Sequence, residues 1–440
     1  MILFYTEKLN PRIEYAAKLI FTDILKIGIR ITTNSAEFLS SGLPKVNYSN
    51  ERFGNEFFIK PNSFLFYKSI SKPVVTPLSY NGEHCFFESS GESDLPFDPF
   101  AGAFYFVTRF EEYIETVTDN YNRYPSHKSI LSEYNLLKKP VVNIWARMLS
   151  GKLKERYPAI EIPGPEFKFF STIDVDNAWG YAHKGFVRCS GALMRAVLKG
   201  NFIEAGERLK VLTGIRQDPF YTYPLLDEVF KDNEDRVIFF FPLGDYGRYD
   251  KNISWKNRYL QELIRNTSAK YSVGIHPSYS SESISGERLL KTEISRFSKI
   301  TGTKPEKSRQ HYVRLRLPET YRRLIDNGIR EDYTMGYASQ TGFRAGICTP
   351  FCFYDLNKDM VTPLKIFPFQ VMDVTLHDYL GMTPDQANEE IEILMNEVKK
   401  AGGTFISIWH NESLSGRGNR EGYREVFYKM NERGFNWSNE

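Results

Sequence analysis

An α/β chain in two parts, a smaller N-terminal α/β domain and a C-terminal (β/α) barrel, is predicted by three observations. The chain has 440 residues, more than one compact core usually holds. Glu161-Ile-Pro-Gly-Pro165 interrupts it, and two prolines around a glycine continue neither a helix nor a central strand. After that seam, apolar strand-like runs alternate with helical patterns, the signature of a parallel sheet with helices outside it, open or closed into a barrel. The domains are therefore expected at 1–163 and 164–440.

Before the seam, Ile13, Ala16, Ala17, Ile20 and Ile24 recur at helical spacing. Short strand-like stretches such as Phe64-Leu-Phe-Tyr67 follow over residues 30 to 100, and Pro140 opens a helix that runs to Tyr157. Arg109-Phe-Glu-Glu112 lies on a further helical stretch and suits a solvated face or an interface ion pair. After the seam the strand candidates are Phe167–Ile173, Val237–Pro242, Tyr271–Ile275, Gly328–Gly336, Lys365–Val374 and Thr404–Trp409. Helical patterns span Glu287–Ile300 and Pro318–Asn327, and Thr383-Pro384 caps a helix that stops at Gly402.

Composition excludes several classes. Hydrophobic residues are 41% and charged residues 25%, as in a globular protein. With 57 basic against 54 acidic residues, overall charge gives no reason to expect nucleic acid or an anionic surface as partner. The four cysteines are too few and scattered for a disulfide framework, and Cys348 with Cys352 lacks the second pair of a zinc site. No run is long enough to span a bilayer and Met1–Lys18 has no signal-peptide pattern, so a cytoplasmic location is expected.

In parallel α/β folds the site forms at the carboxyl ends of strands. The first strand after the seam ends in Asp174-Val-Asp176, the one at Tyr271 in His276, a stretch after Pro305 in Arg309-Gln-His-Tyr312, and the one at Thr404 in His410. Three of the chain's seven histidines fall at these ends.

These residues resemble, over about residues 165–440, the five short motifs of the polysaccharide deacetylase superfamily, the NodB homology or carbohydrate esterase family 4 domains. Ile173-Asp-Val-Asp176 is similar to the first motif, Gly274-Ile-His-Pro-Ser-Tyr-Ser280 to the second, Arg309-Gln-His-Tyr312 to the third and Ile408-Trp-His410 to the last, while Asp332 is a loose match to the fourth. The resemblance implies a distorted (β/α) barrel and a metal-dependent hydrolase that removes an acyl group, N-acetyl in the leading case, from a carbohydrate. It implies Asp174 as general base, His410 as general acid, Arg309 as the residue keeping Asp174 ionised, and Asp176 and His276 as ligands to a divalent ion, a donor set that suits zinc first and also manganese, cobalt or nickel. Tyr312, Arg344 and Asp332 are candidate substrate contacts.

One departure stands out. Ser280 occupies the place of the second ligand histidine of the second motif. His311 is a candidate third ligand and His183 another; otherwise the metal is weak or absent. Alternatives accompany each residue. Asp174 and Asp176 also suit a helix cap, His276 a core hydrogen bond, His311 a structural role and Arg309 a structural ion pair. Asp373 is as open as Arg344 and Asp332, and Tyr246, Tyr249 and Asp250 either edge the cleft or belong to a loop. Two rival functions remain: a carbohydrate-binding pseudoenzyme that lost its metal, and hydrolysis of a non-sugar amide. The saccharide and the oligomeric state are not legible.

Overall fold

The computed structural model describes residues 1–283 and 286–440. Its first sheet has four parallel strands in the order β2-β1-β3-β4: β1 Ile2–Thr6, β2 Ile29–Thr32, β3 Lys45–Tyr48 and β4 Phe57–Ile59. β1 is central and wholly buried. The helix Pro11–Lys18 begins where the Asn10 side chain accepts from the Ile13 amide and Pro11 takes the first turn. The strand-like Phe64-Leu-Phe-Tyr67 is instead a 3-10 turn, Ser63–Phe66, because Asn62 caps it by accepting from the Phe64 amide. A hairpin of β5 Pro77–Tyr80 and β6 Glu83–Phe86 follows, then the fully buried helix Pro99–Val107 and the helix Val141–Arg156.

The second sheet has nine strands. In chain order they are β7 Phe167–Asp174, β8 Val237–Phe241, β9 Ser272–Ile275, β10 Lys307–Ser308, β11 Glu331–Asp332, β12 Phe351–Asp355, β13 Met360–Ile366, β14 Val371–Met372 and β15 Gly403–His410. They lie in the order β12-β13-β11-β10-β9-β8-β7-β15-β14, and every pairing but the β12–β13 hairpin is parallel. The expected strand Lys365–Val374 is divided. Its start pairs with β11 as the end of β13, and its later residues pair with β15 as β14. Between them Phe367 and Phe369 amides donate to the Asp332 and Met335 carbonyls, and the Gln370 amide to that of Ile406. Gly274 in β9 is required by packing, since a Cβ there would lie 2.5 Å from the Phe240 ring.

No strand pairs the two sheets among the described residues, yet one hydrophobic cluster runs through both, from Ile2 to Phe435. Phe104 of the buried helix meets Tyr354 of β12 at 5.0 Å, and Arg12 donates to Asp359 at 2.7 Å. At the same junction Glu112 takes Arg344 in a two-pronged ion pair, at 2.9 and 2.7 Å, while Arg109 donates to the Arg344 carbonyl and to Glu112. Arg109, Glu111 and Glu112 thus belong to a buried ion-pair cluster with Arg344 and not to a solvated face. The four cysteines are unpaired, and among the described residues no helix is long and apolar enough to cross a membrane.

Candidate active site

Parallel register sets the site. β7 and β15 are aligned so that Asp174 stands opposite His410, and β8 and β9 run alongside to deliver His276 one residue past Ile275. Arg309 follows β10 by one residue and Asp373 follows β14 by one. A cleft of about 220 Å³ opens at these carboxyl ends, lined by Asp174, Asp176, His276, His311, Tyr312 and His410 among others.

Arg309 is wholly buried. Its guanidinium donates to Asp174 Oδ1 at 2.9 Å and to Thr172 Oγ1 at 2.6 Å, and lies 4.6 Å from the Phe240 ring. Such a charge-assisted bond between buried partners fixes where the second carboxylate oxygen points. Asp174 Oδ2 is 3.8 Å from His276 Nε2.

Asp176 is the hub. His276 Nε2 lies 3.2 Å from its Oδ1, His311 Nε2 3.2 Å from its Oδ2, and His410 Nε2 3.7 Å from its Oδ2. The imidazole tautomers follow from their other nitrogens. His276 Nδ1 is 2.5 Å from the Arg309 carbonyl oxygen, which only accepts, so Nδ1 carries the proton and Nε2 presents a lone pair. In the neutral ring that lone pair would face Asp176 Oδ1 at 3.2 Å. Two acceptors at this distance are reconciled by a cation between them, either a proton on Nε2 or a metal ion. Donor atoms bound at ~2.0–2.2 Å around a tetrahedral ion stand about 3.4 Å apart, close to this spacing.

His311 is oriented the same way. Its Nδ1 lies 2.9 Å from Asp250 Oδ1, and Asp250 also accepts from the Tyr279 amide at 2.8 Å and the Ser280 hydroxyl at 3.0 Å. Ser280 therefore supports the carboxylate that orients His311. Asp176, His276 and His311 form a group whose potential ligand atoms lie within 4.8 Å of one another, two of the three residues buried. A carboxylate backing a ligand histidine is the usual outer partner of a metal site.

His410 has its own carboxylate. Asp373 accepts from the His410 amide at 2.7 Å and lies 2.8 Å from its Nδ1. Burial opposes charge on both, but mutual attraction outweighs it: Asp373 is lowered to about 2 and His410 raised to about 10. Burial likewise works against an imidazolium at His311, yet Asp176 and Asp250 raise it to about 10. Asp176 is held well below the usual carboxylate range, His311, His276 and His410 outweighing its burial. The site is an electronegative well that could hold a proton or a metal ion at the same places.

The other predicted residues are distributed as follows. Tyr312 lines the cleft, stacked on Tyr121 at 5.2 Å, and burial raises its hydroxyl to about 12. Asp332 is fully buried outside the cleft, accepting from Ser308 and Thr334, with burial raising it to about 6. It supports the β10–β11 pairing and is not among the residues lining the cleft beside Asp176. Arg344, engaged by Glu112, lines the adjoining hollow of about 300 Å³ and not the cleft beside Asp176. His183 stacks on Tyr259 at 3.9 Å, away from the cluster. Sequence reasoning gave no role to Arg123, which lines the cleft from the N-terminal part and pairs with Asp119 at 2.7 Å. Nothing in its neighbourhood in the sequence marks it. Asp250 and Asp373 were visible only as acidic residues near strand ends.

One protein family matches, over residues 2–158: a family of unknown function, DUF7033. No curated protein matches the chain. Among solved structures, a Mycobacterium smegmatis protein provisionally described as a polysaccharide deacetylase is 17% identical, over 61% of this chain and 85% of that one, with a TM-score of 0.39. A polysaccharide deacetylase from Bacillus cereus is 13% identical over 61% of this chain and 88% of that one, with a TM-score of 0.31. A carbohydrate esterase family 4 pseudoenzyme from Bacillus anthracis is 15% identical over 61% and 62%, with a TM-score of 0.30. Likenesses this distant assign no residue a role.

Proposed function

We propose that the protein is a metal-dependent hydrolase that removes an acyl group, N-acetyl in the leading case, from a carbohydrate. The observation that carries the reading is Asp176 held between two imidazole nitrogens, His276 and His311, each oriented by a hydrogen bond from its far side. These three would hold a divalent ion, and carboxylate with imidazole suits zinc. When bound it supplies a Lewis acid for the acyl carbonyl.

The chain's own groups divide the proton work. Asp174, fixed by Arg309, accepts a proton from the attacking water at Oδ2, the oxygen that faces the cluster. His410, kept as imidazolium by Asp373, gives a proton from Nε2 to the leaving nitrogen. Tyr312 and the rings around it, Tyr121, Tyr249 and Tyr279, offer an apolar face against which a sugar ring packs. The same reading takes the nine strands as a distorted (β/α) barrel, supported by the residue 360–372 segment that bonds to both β11 and β15. Residues 1–163 are then an accessory domain that contributes Arg123 to the cleft wall.

The test is release of acetate from N-acetylated oligosaccharides by protein loaded with zinc, manganese, cobalt or nickel in turn. Turnover that needs one of these ions and is lost with chelator is expected. Stoichiometric metal without hydrolysis of any acylated sugar would favour a binding protein instead.

A further inference from the structure

The helical hairpin that follows the Asp174–Asp176 turn has an unusual surface. Its helices are Phe186–Leu198 and Phe202–Leu212. Only Ala196, Ala205 and Val211 of these helices are buried. Phe186 is 86% exposed, Leu198 80%, Phe202 69% and Ile203 84%, and Val187, Met194, Val197, Leu209, Leu212 and Ile215 are exposed too. Ten of the 25 exposed large hydrophobics among the described residues thus fall within residues 186–215. On the first helix the five exposed apolar residues occupy roughly a third of the circumference at 3.6 residues per turn. A contiguous apolar patch of this kind marks a contact surface.

Charge identifies the partner. The chain as a whole is nearly balanced at +3, but residues 184–216 hold seven Lys and Arg against two Glu. Glu204 is taken by Arg208, and Glu207 by Arg216 and Arg417. Arg195, Lys199 and Lys210 are exposed and stand outside every ion pair among the described residues. Arg195 lies about 60° beyond the edge of that apolar stripe at 100° per residue, and Lys199 caps the helix in the turn to the second one. Exposed aliphatic and Phe side chains flanked by unpaired cations are the design of a helix that lies in a lipid interface with anionic headgroups. Helices of 13 and 11 residues are about 20 Å and 16 Å long, too short to span ~30 Å of hydrocarbon, so the hairpin lies on the membrane.

The hairpin is also tied to the cleft rim. Arg188 donates to the carbonyls of Lys251 and Asn252, next to Asp250. Asn177, in the loop leading to the hairpin, donates to Glu412, which lines the cleft. We propose that residues 186–215 dock the protein on an anionic lipid bilayer, with the cleft mouth beside the lipid surface. The inference is independent of the chemistry assigned to the cleft.

Co-sedimentation of the full chain with extruded vesicles tests it, with phosphatidylcholine alone against phosphatidylcholine containing phosphatidylglycerol. The chain is expected to sediment with the anionic vesicles and to be released by salt. The double variant Phe202→Asp, Ile203→Asp lowers the partition coefficient by about 100-fold, the scale for withdrawing two large apolar side chains. Arg195→Glu with Lys199→Glu lowers it about tenfold or more on anionic vesicles only. All four positions are exposed, and an unchanged circular dichroism melt verifies folding. The proposal is overturned if the wild-type chain stays in the supernatant with both lipids. It is equally overturned if the chain self-associates through this face in ultracentrifugation, with the aspartate variants monomeric and vesicle binding absent.

Discussion

Two imidazole–carboxylate pairs flank Asp176, and they differ in what the second nitrogen reaches. His311, backed by Asp250, brings Nε2 to 3.2 Å from Asp176, at the spacing of His276 on the other carboxylate oxygen. His410, backed by Asp373, stops at 3.7 Å, on the strand directly opposite Asp174. Both imidazoles are raised to about 10 by neighbouring carboxylates, so proton affinity alone does not separate them. Position does. One nitrogen converges with His276 on a shared point, while the other stays back from that point, beside the place where a leaving group would stand. Under the proposed function the same pair of residue types serves as ligand in one case and as acid in the other: His311 opens the 3-10 turn after β10, while His410 is the last residue of β15.

The largest effects should come from the hub. Asp176→Asn or His276→Ala removes a donor from the cluster and is expected to reduce bound metal to background, and turnover with it. Elemental analysis of each variant checks this. Next comes Asp174→Asn, which should lower kcat by about 10²–10⁴-fold with metal content intact, the range for losing a general base.

The two backing carboxylates then break the comparison apart. Asp250→Asn should weaken metal affinity by about 10–100-fold, the usual cost of losing an outer partner of a ligand histidine. Asp373→Asn should leave that affinity unchanged and lower kcat, moving the alkaline limb of the rate profile to lower pH. The sign follows from the paired state. His410 is raised from 6.5 to about 10, so its contribution to stability is full below about 6.5 and is lost as pH rises through about 10. Asp373 is lowered from 3.8 to about 2, so its contribution is present above about 4 and lost as pH falls through about 2. Without Asp373 the imidazolium loses its proton earlier. The smallest expected effect is at Ser280, whose hydroxyl gives Asp250 one hydrogen bond. Ser280→Ala should weaken metal affinity by only about fivefold, the worth of ~1 kcal/mol.

Much of this was legible because strand ends carry chemistry in parallel sheets. Phe167–Ile173 and Thr404–Trp409 read as buried strands from their apolar runs, and both match β7 and β15 to within a residue at each end. What the sequence could not supply were relations across the sheet. Asp250 and His311 are 61 positions apart and Asp373 and His410 are 37 apart, so no spacing rule joins them. Ser280 looked like a missing ligand because the motif considers only its own segment. Its role emerges once Asp250 is seen to bridge it to His311. Asp332 stands out in the sequence as a loose match to the fourth motif; its strand is two residues long and its carboxylate accepts from Ser308 and Thr334. The apolar stripe of the hairpin at 186–212 is present in the sequence, but nothing in the sequence says that this stripe faces outward and not into the core.

The central claim is that His311 and not His410 completes the cluster with Asp176 and His276. Titration of chelator-treated protein with zinc, followed by calorimetry, tests it on the wild-type chain, His311→Ala and His410→Ala. The account predicts one ion per chain for the wild type, the same stoichiometry and nearly the same Kd for His410→Ala, and at least a 100-fold weaker Kd for His311→Ala, the scale of losing one ligand. Equal zinc binding by wild type and His311→Ala, or no zinc binding by the wild type, would contradict it.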